Sequence, residues 1–232
     1  MVKIRERLRN PVFLQAVKKS IFVTLLTMLT VFLAAGRLTY WQGWLYIGIL
    51  LGDLSAVILF VPIDLLHERM KPGPGRKRWD KILVALLFPL SYSVVVVASL
   101  DAGRYGEGLS LSPYGLGMVL LVYGFSSVIS IWSMLVNPFF SSVMRIQADR
   151  GHQVISKGPY SVIRHPGYLG EILGILATPL LLGSLWGLVP AGAVSVLIGV
   201  RAYLEDTTLR RELEGYEEYT QEVRYRLLPG IW

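Results

Sequence analysis

The chain has 232 residues, of which apolar and aromatic types make up 53% and charged types only 17%. A soluble domain usually carries about 25% charged residues, so this chain has too few charges to cover a surface that faces water. Together with a mean hydropathy of +0.51, this composition excludes a disordered chain and an ordinary water-soluble enzyme. The absence of cysteine excludes disulfides, thiolate metal sites and cysteine nucleophiles. The composition predicts an integral membrane protein.

Six apolar segments are long enough, or nearly so, to cross a bilayer. A spanning helix needs about 17–25 apolar residues, because each residue rises about 1.5 Å across about 30 Å of hydrocarbon. The segments are 20–36, 42–63, 82–100, 113–136, 168–183 and 186–204. The fifth is short and meets the sixth at a tight Gly183-Ser184 corner, which predicts a helical hairpin. We therefore predict an all-α, polytopic transmembrane bundle of about six hydrophobic helices, with five full spans and a shallow hairpin arm as the alternative.

The basic residues give the predicted topology. Of the 23 Lys and Arg residues, 21 lie in alternate connecting segments and two in the opposite set. Because positive residues stay on the cytoplasmic side, both termini, the 66–81 loop and the 137–167 loop are predicted to face the cytosol. The chain is predicted to be one integral-membrane domain, 1–232, with N-terminal helices in 1–136 and a cofactor-binding and catalytic region in 137–232. We expect a prokaryotic cytoplasmic membrane as its location.

The N-terminal residues mix basic and apolar side chains, which favours a short helix in the membrane interface over residues 2–19. The apolar run that follows is longer than the usual 7–15 residues of a signal peptide. An uncleaved first span is therefore preferred, and a cleaved signal peptide is the alternative.

Acidic residues also occur in and beside the second apolar segment. Asp53 lies near its centre, where a carboxylate costs about 2.5–3.5 kcal/mol. We favour a packing contact inside the bundle over a direct chemical role. Asp64, His67 and Glu68 lie at the predicted cytoplasmic end of the same segment, where they are interpreted as a solvated helix end.

The segment after residue 136 is unusually rich in aromatic, basic and glycine residues. A connection of about 30 residues in a compact membrane protein is normally functional. Around one predicted turn it places five candidate residues, Tyr160, Arg164, His165, Tyr168 and Glu171. Each has an ordinary structural interpretation alone, but together they suit a small zwitterionic ligand with an aromatic base.

The last apolar segment continues into a charged helix. Arg201, Glu205, Thr208 and Glu212 fall on one face of that helix. Arg201 and Glu205 are spaced for a simple i,i+4 ion pair, which is worth a few tenths of a kcal/mol. Charges at the membrane boundary also mark ligand paths, so a functional pair is the other interpretation.

These motifs resemble the isoprenylcysteine carboxyl methyltransferase family and its phospholipid methyltransferase relatives. The family pattern is Gly-x-Tyr, Arg-His-Pro-x-Tyr-x-Gly and Arg-x-x-x-Glu-Glu. Here it corresponds to GPYSVIRHPGYLGE at 158–171 and to Arg201, Glu205 and Asp206, the last replacing the second Glu. The resemblance covers roughly 137–232.

The resemblance implies a membrane enzyme that uses S-adenosylmethionine without a soluble Rossmann domain and acts on a lipidic acceptor at the cytosolic leaflet. The family positions make Arg201 and Glu205 the catalytic pair. The implied cofactor-binding residues are Tyr160, Arg164, His165, Tyr168, Gly170, Glu171, Leu228 and Pro229. For a carboxylate acceptor, Arg201 orients the nucleophile and Glu205 holds Arg201. For an amine acceptor, Glu205 acts as the base.

Two other functions stay open at this stage. An NADPH-dependent reductase of sterols or related lipids has a similar membrane fold, and a non-enzymatic lipid-binding protein needs only basic residues for headgroups. The expected partners are membrane lipids and a lipidic or lipidated substrate, with no nucleic acid and no metal. The sequence fixes neither the methylated atom nor the oligomeric state.

Overall fold

The computed structural model describes residues 7–106 and 108–232, and the regular elements in these ranges are all helical. The helices are α1 Pro11–Ala35, α2 Trp41–Phe60, α3 Ile63–Met70, α4 Arg78–Ala98, α5 Pro113–Val136, α6 Pro166–Leu181, α7 Leu188–Glu212 and α8 Tyr216–Glu222. A π-helical turn, Ser99–Tyr105, extends α4, and 3₁₀ turns occur at Ala148–Arg150 and Gly158–Ser161.

Five of these helices are long and apolar enough to cross a membrane, namely α1, α2, α4 with its extension, α5 and α7. Helix α6 is apolar but has only 16 residues, which corresponds to about 24 Å and falls short of about 30 Å of hydrocarbon. The predicted all-α bundle of six hydrophobic helices is confirmed, and its fifth member is the short hairpin arm. The short helix α3 was not predicted.

The outer surface of the bundle is apolar. Large side chains such as Phe22, Leu33, Phe60, Phe88 and Leu121 are each more than half exposed. A water-soluble protein rarely shows a continuous apolar surface of this kind, whereas lipid tails solvate it.

The corner of the α6–α7 hairpin is fixed by a glycine and a buried serine. Gly183 has φ +73°, a left-handed conformation that favours glycine. The Ser184 hydroxyl donates to Asp101 at 2.6 Å and accepts from the Gly187 amide at 3.0 Å. The corner therefore lies where the sequence predicted it and is anchored to the end of α4.

The N-terminal prediction is wrong for its second half. Helix α1 begins at Pro11, is capped by the Asn10 side chain and runs unbroken to Ala35. Lys18 and Lys19 therefore belong to the first membrane helix and not to a separate interfacial helix. Residues 1–6 lie outside the described residues.

Alternate connecting segments meet at the same end of the bundle. At one end Lys77 pairs with Glu212 at 2.6 Å, and the Lys77 amide donates to the Met144 carbonyl at 3.0 Å. At the other end Arg104 donates to the carbonyls of Leu33 and Ala34. This arrangement agrees with the up-and-down path that the basic residues indicated.

Candidate functional site

One end of the bundle contains a cavity of about 430 Å³. Its walls come from the end of α3, the last turns of α5, the 139–155 segment, the start of α6, the second half of α7 and α8. Small-molecule sites are typically about 300–1,000 Å³, so the cavity is large enough for a cofactor-sized ligand.

The cavity brings together most of the residues that the sequence singled out. Seven of the ten predicted residues line it: Tyr160, Arg164, His165, Tyr168, Glu171, Arg201 and Glu205. Gly170, Leu228 and Pro229 do not line it. A Cβ added at Gly170 would lie 2.2 Å from Ser130 Oγ, so close packing of α6 on α5 accounts for this glycine. Leu228 is 44% exposed.

The Glu205 carboxylate is held at the cavity wall by aromatic side chains. The Tyr168 hydroxyl donates to Glu205 Oε2 at 2.6 Å. His165 Nδ1 lies 3.9 Å from Glu205 Oε1, and the rings of His165 and Tyr168 stack at 5.7 Å. The Glu205 side chain is 23% exposed, so it stays accessible from the cavity.

Arg201 has a different partner from the one expected. Its Nε donates to Asp80 Oδ1 at 2.9 Å and its Nη2 to the Ser142 carbonyl at 3.1 Å. Its guanidinium also lies over the Tyr168 ring, 5.5 Å from the centroid. Arg201 and Glu205 form no ion pair in the described ranges, so Asp80 and not Glu205 holds Arg201. The sequence signal for Asp80 was an acid in the first turn of a helix, which the helix dipole favours.

Asp206 connects three parts of the chain around one fully buried carboxylate. It accepts from Arg164 Nε at 2.7 Å, from Arg226 Nε at 2.9 Å and from the Tyr216 hydroxyl at 3.2 Å. Burial and the Asp206 charge raise the pKa of Tyr216, so its phenol stays a donor. Asp206 thus fixes Arg164 and the C-terminal segment beside the cavity.

Glu68 is buried, which corrects the interpretation of a solvated helix end. It is 6% exposed and accepts from Arg145 Nε at 2.9 Å and from Arg145 Nη2 at 3.0 Å. Burial alone raises the pKa of Glu68, but the bonds from Arg145 outweigh it and the net pKa is lowered. The interpretation is right for Asp64 and His67, which are exposed.

His152 and Tyr160 give the cavity neutral aromatic walls. Burial, with Arg145 and Arg150 nearby, lowers the pKa of His152 to about 4, so the imidazole is neutral near pH 7. Its Nδ1 accepts from the Gln147 amide at 3.3 Å. Burial raises the pKa of Tyr160, whose hydroxyl accepts from Asn137 at 3.2 Å.

Asp53 lies outside the cavity wall. Asp53 is partly exposed on α2 and neighbours the phenols of Tyr46 and Tyr123, away from the residues that line the cavity.

In the part of the chain that the structure describes, no group of three or more His, Asp or Glu side chains is placed to hold a metal ion.

Part of the chain that forms this site matches a known family model. The family model of phospholipid methyltransferases matches residues 109–214, a segment that includes α5, α6, α7 and the predicted residues between 160 and 205. The match confirms the resemblance that the motifs indicated. Residues 109–214 thus carry the phospholipid methyltransferase sequence pattern within a polytopic helical bundle, and the match supports a membrane methyltransferase.

A second similarity involves a different chemistry. The chain is similar to the Delta(14)-sterol reductase of Mus musculus, with 29% identity over 100 residues. The alignment covers 41% of this chain and 24% of the reductase, so the chain spans about a quarter of the length of this curated relative.

Proposed function

We propose that the protein is an S-adenosylmethionine-dependent methyltransferase whose acceptor is a lipidic molecule in the membrane. The observation that carries the proposal is the convergence of Tyr168, Glu205 and Arg201 on one cavity between bilayer-crossing helices. The phospholipid methyltransferase match over 109–214 supports the same chemistry.

The residues of the cavity fit the proposed cofactor. Aromatic rings and carboxylates attract cations, and Tyr160, Tyr168, Glu171 and Glu205 supply both to the cavity. The buried His165 lies between two carboxylates, with Nε2 3.4 Å from Asp206 Oδ1 and Nδ1 3.9 Å from Glu205 Oε1, so Asp206 orients the imidazole at the cavity wall. Apolar and aromatic side chains, among them Leu213, suit a purine ring.

S-adenosylmethionine supplies an electrophilic methyl group on a positively charged sulfur. Methyl transfer to a nucleophile depends mainly on alignment, a proximity effect worth several kcal/mol. The Glu205 carboxylate, which is 23% exposed, provides negative potential at the cavity wall. Tyr168 fixes the orientation of Glu205 through the 2.6 Å hydrogen bond.

The acceptor chemistry decides the role of Glu205. For an amine acceptor, Glu205 takes the proton that the nitrogen must lose. For a carboxylate acceptor no proton is removed, and Glu205 acts by placing negative charge near the methyl donor. Arg201, which is held by Asp80, shapes the wall by stacking on Tyr168.

The basic residues of the segments around the cavity support a cytosolic site. Three connecting segments surround the cavity, namely 66–81, 137–167 and the C-terminal segment. They belong to the alternate segments that hold 21 of the 23 Lys and Arg residues, which stay on the cytoplasmic side of a membrane. The acceptor enters this site sideways from the inner leaflet, passing between helices whose outer faces are apolar.

The first test is binding and turnover in detergent. Calorimetry with S-adenosylhomocysteine, followed by transfer of labelled methyl groups to a lipid extract and mass spectrometry of the product, measures both halves of the reaction. Glu205→Gln is expected to lower turnover about 100-fold or more without a large change in the unfolding temperature. Glu212→Gln is the matched control, because Glu212 lies on the same helix but pairs with Lys77 outside the cavity. Full turnover by Glu205→Gln contradicts its assigned role.

A reductase is the second candidate, and the similarity to the sterol reductase favours it. NADPH is a considerably larger molecule and needs cations for its 2′-phosphate. Calorimetry with NADPH in place of S-adenosylhomocysteine distinguishes the two functions. Binding of NADPH alone supports a reductase, and binding of neither ligand supports a lipid-binding protein.

A further inference from the structure

Four arginine side chains line the cavity, and three of them form an ion pair with a buried carboxylate. Arg145 pairs with Glu68, Arg164 with Asp206 and Arg201 with Asp80. The fourth is Arg69 on α3.

Arg69 forms no ion pair with any residue in 7–106 or 108–232. Its Nη1 donates to the Phe140 carbonyl at 3.4 Å, and its guanidinium lies 5.1 Å from the centroid of the Phe140 ring. Burial lowers the pKa of Arg69, yet a guanidinium stays protonated in proteins. Arg69 is only partly exposed and Glu171 is a charged neighbour, but no carboxylate of the described residues lies within ion-pair distance of it. Its guanidinium is therefore suited to bind an anion that a ligand supplies.

The position of Arg69 favours the acceptor over the methyl donor. Its charged neighbours are Glu171 on α6 and Arg201, and Met134 of α5 packs with α3 and Phe140 in one apolar cluster. These walls belong to helices that enter the bilayer. The apolar wall formed by Leu209 and Leu213 lies towards the end of α7, where Leu209 is about 12 Å further along the helix than Arg201 at about 1.5 Å per residue.

We propose that Arg69 determines specificity by binding an anionic group, a carboxylate or a phosphate, of the lipidic acceptor. This inference rests on the proposed function and adds a residue that the sequence motifs did not include. The Glu171 carboxylate, which is exposed to the cavity, opposes the same anion and moderates its affinity.

The test uses amphiphiles that differ only in the headgroup. Decanoate, decyl phosphate and decanol are titrated below their micelle concentrations into protein saturated with S-adenosylhomocysteine in neutral detergent. The wild type is expected to bind the better anion about 10- to 100-fold more tightly than decanol, as a charge-assisted hydrogen bond predicts. The stronger of the two anions identifies a carboxylate or a phosphate acceptor.

Variants assign this preference to Arg69. Arg69→Gln is expected to remove the preference and leave S-adenosylhomocysteine affinity within about twofold, and Arg69→Lys retains part of it. Glu171→Gln is expected to strengthen anion binding a few-fold. This variant removes one negative charge that repels the bound anion. Arg78→Gln is the matched control, because Arg78 is an exposed arginine outside the cavity.

Two results overturn the inference. One is equal wild-type affinity for the anions and decanol. The other is a loss of S-adenosylhomocysteine affinity in Arg69→Gln while the anion preference survives, which assigns Arg69 to the donor. Failure of the wild type to bind S-adenosylhomocysteine overturns the proposed function instead, and the anion preference of the ligand-free protein then tests Arg69 separately.

Discussion

The two ends of the helix bundle are held together by different interactions. At the cavity end, buried charges join segments far apart in sequence, as with Asp80 and Arg201 or Glu68 and Arg145. At the opposite end, the contacts are hydrogen bonds from side chains such as Arg104 and Ser184, together with close packing. Gly103 approaches Ala35 so closely that a Cβ added to it would lie 2.5 Å from the Ala35 Cβ.

The difference shows where conformational precision is needed. A buried ion pair is seldom a net source of stability, because desolvation offsets the attraction between the charges, but it fixes the direction of each side chain. Close packing of small residues brings helices together without specifying any chemistry. The structure thus concentrates buried ion pairs around the cavity and uses hydrogen bonds and close packing of small residues at the far end.

The largest expected effect comes from breaking the buried charge cluster. Asp206→Asn leaves Arg164 and Arg226 without their carboxylate and is expected to cost about 3–5 kcal/mol of folding stability. A thermal unfolding assay in detergent measures it. Asp64→Asn serves as the control, because Asp64 is exposed. Equal unfolding temperatures for the two variants contradict the assignment of Asp206 as the buried centre of the cluster.

A change at the opposite end is expected to be smaller and confined to stability. Gly103→Ala pushes the end of α4 away from α1 and is expected to cost about 1–3 kcal/mol, as overpacking usually does. Gly48→Ala is the control, since no atom lies within 4 Å of the added Cβ. S-adenosylhomocysteine affinity measured on both variants should match the wild type. A specific loss in Gly103→Ala shows instead that the two ends are coupled.

The smallest effect concerns pH. Since the folded protein holds the pKa of His152 at about 4, below the ordinary value of about 6.5, the unfolded chain binds more protons between these values. Stability is therefore full above pH 6.5 and falls as the pH drops towards 4. His152→Gln is expected to flatten this dependence in unfolding temperatures measured from pH 7 to 5, whereas His67→Gln, at an exposed site, leaves it unchanged. An unaltered slope in His152→Gln disproves the buried neutral state.

The sequence predicted the bundle and much of the cavity wall because both depend on local patterns. Apolar length predicted the helices, and the spacing from Tyr160 to Glu171 and from Arg201 to Glu205 predicted the residues that meet. Asp80 and Glu68 could not be predicted, because their partners lie 121 and 77 residues away along the chain. The i,i+4 spacing of Arg201 and Glu205 predicted the wrong partner for the same reason. Arg201 pairs with Asp80, which is distant in sequence, and not with the nearby Glu205.

The shortness of α6 also affects the surrounding lipid. A helix of about 24 Å in about 30 Å of hydrocarbon is accommodated by local thinning of the bilayer or by flanking side chains that extend to the interface. Thinning draws headgroups towards the mouth of the cavity, which shortens the distance that the proposed lipid acceptor moves against the hydrophobic effect. Under the proposed function, turnover is therefore expected to depend on membrane thickness.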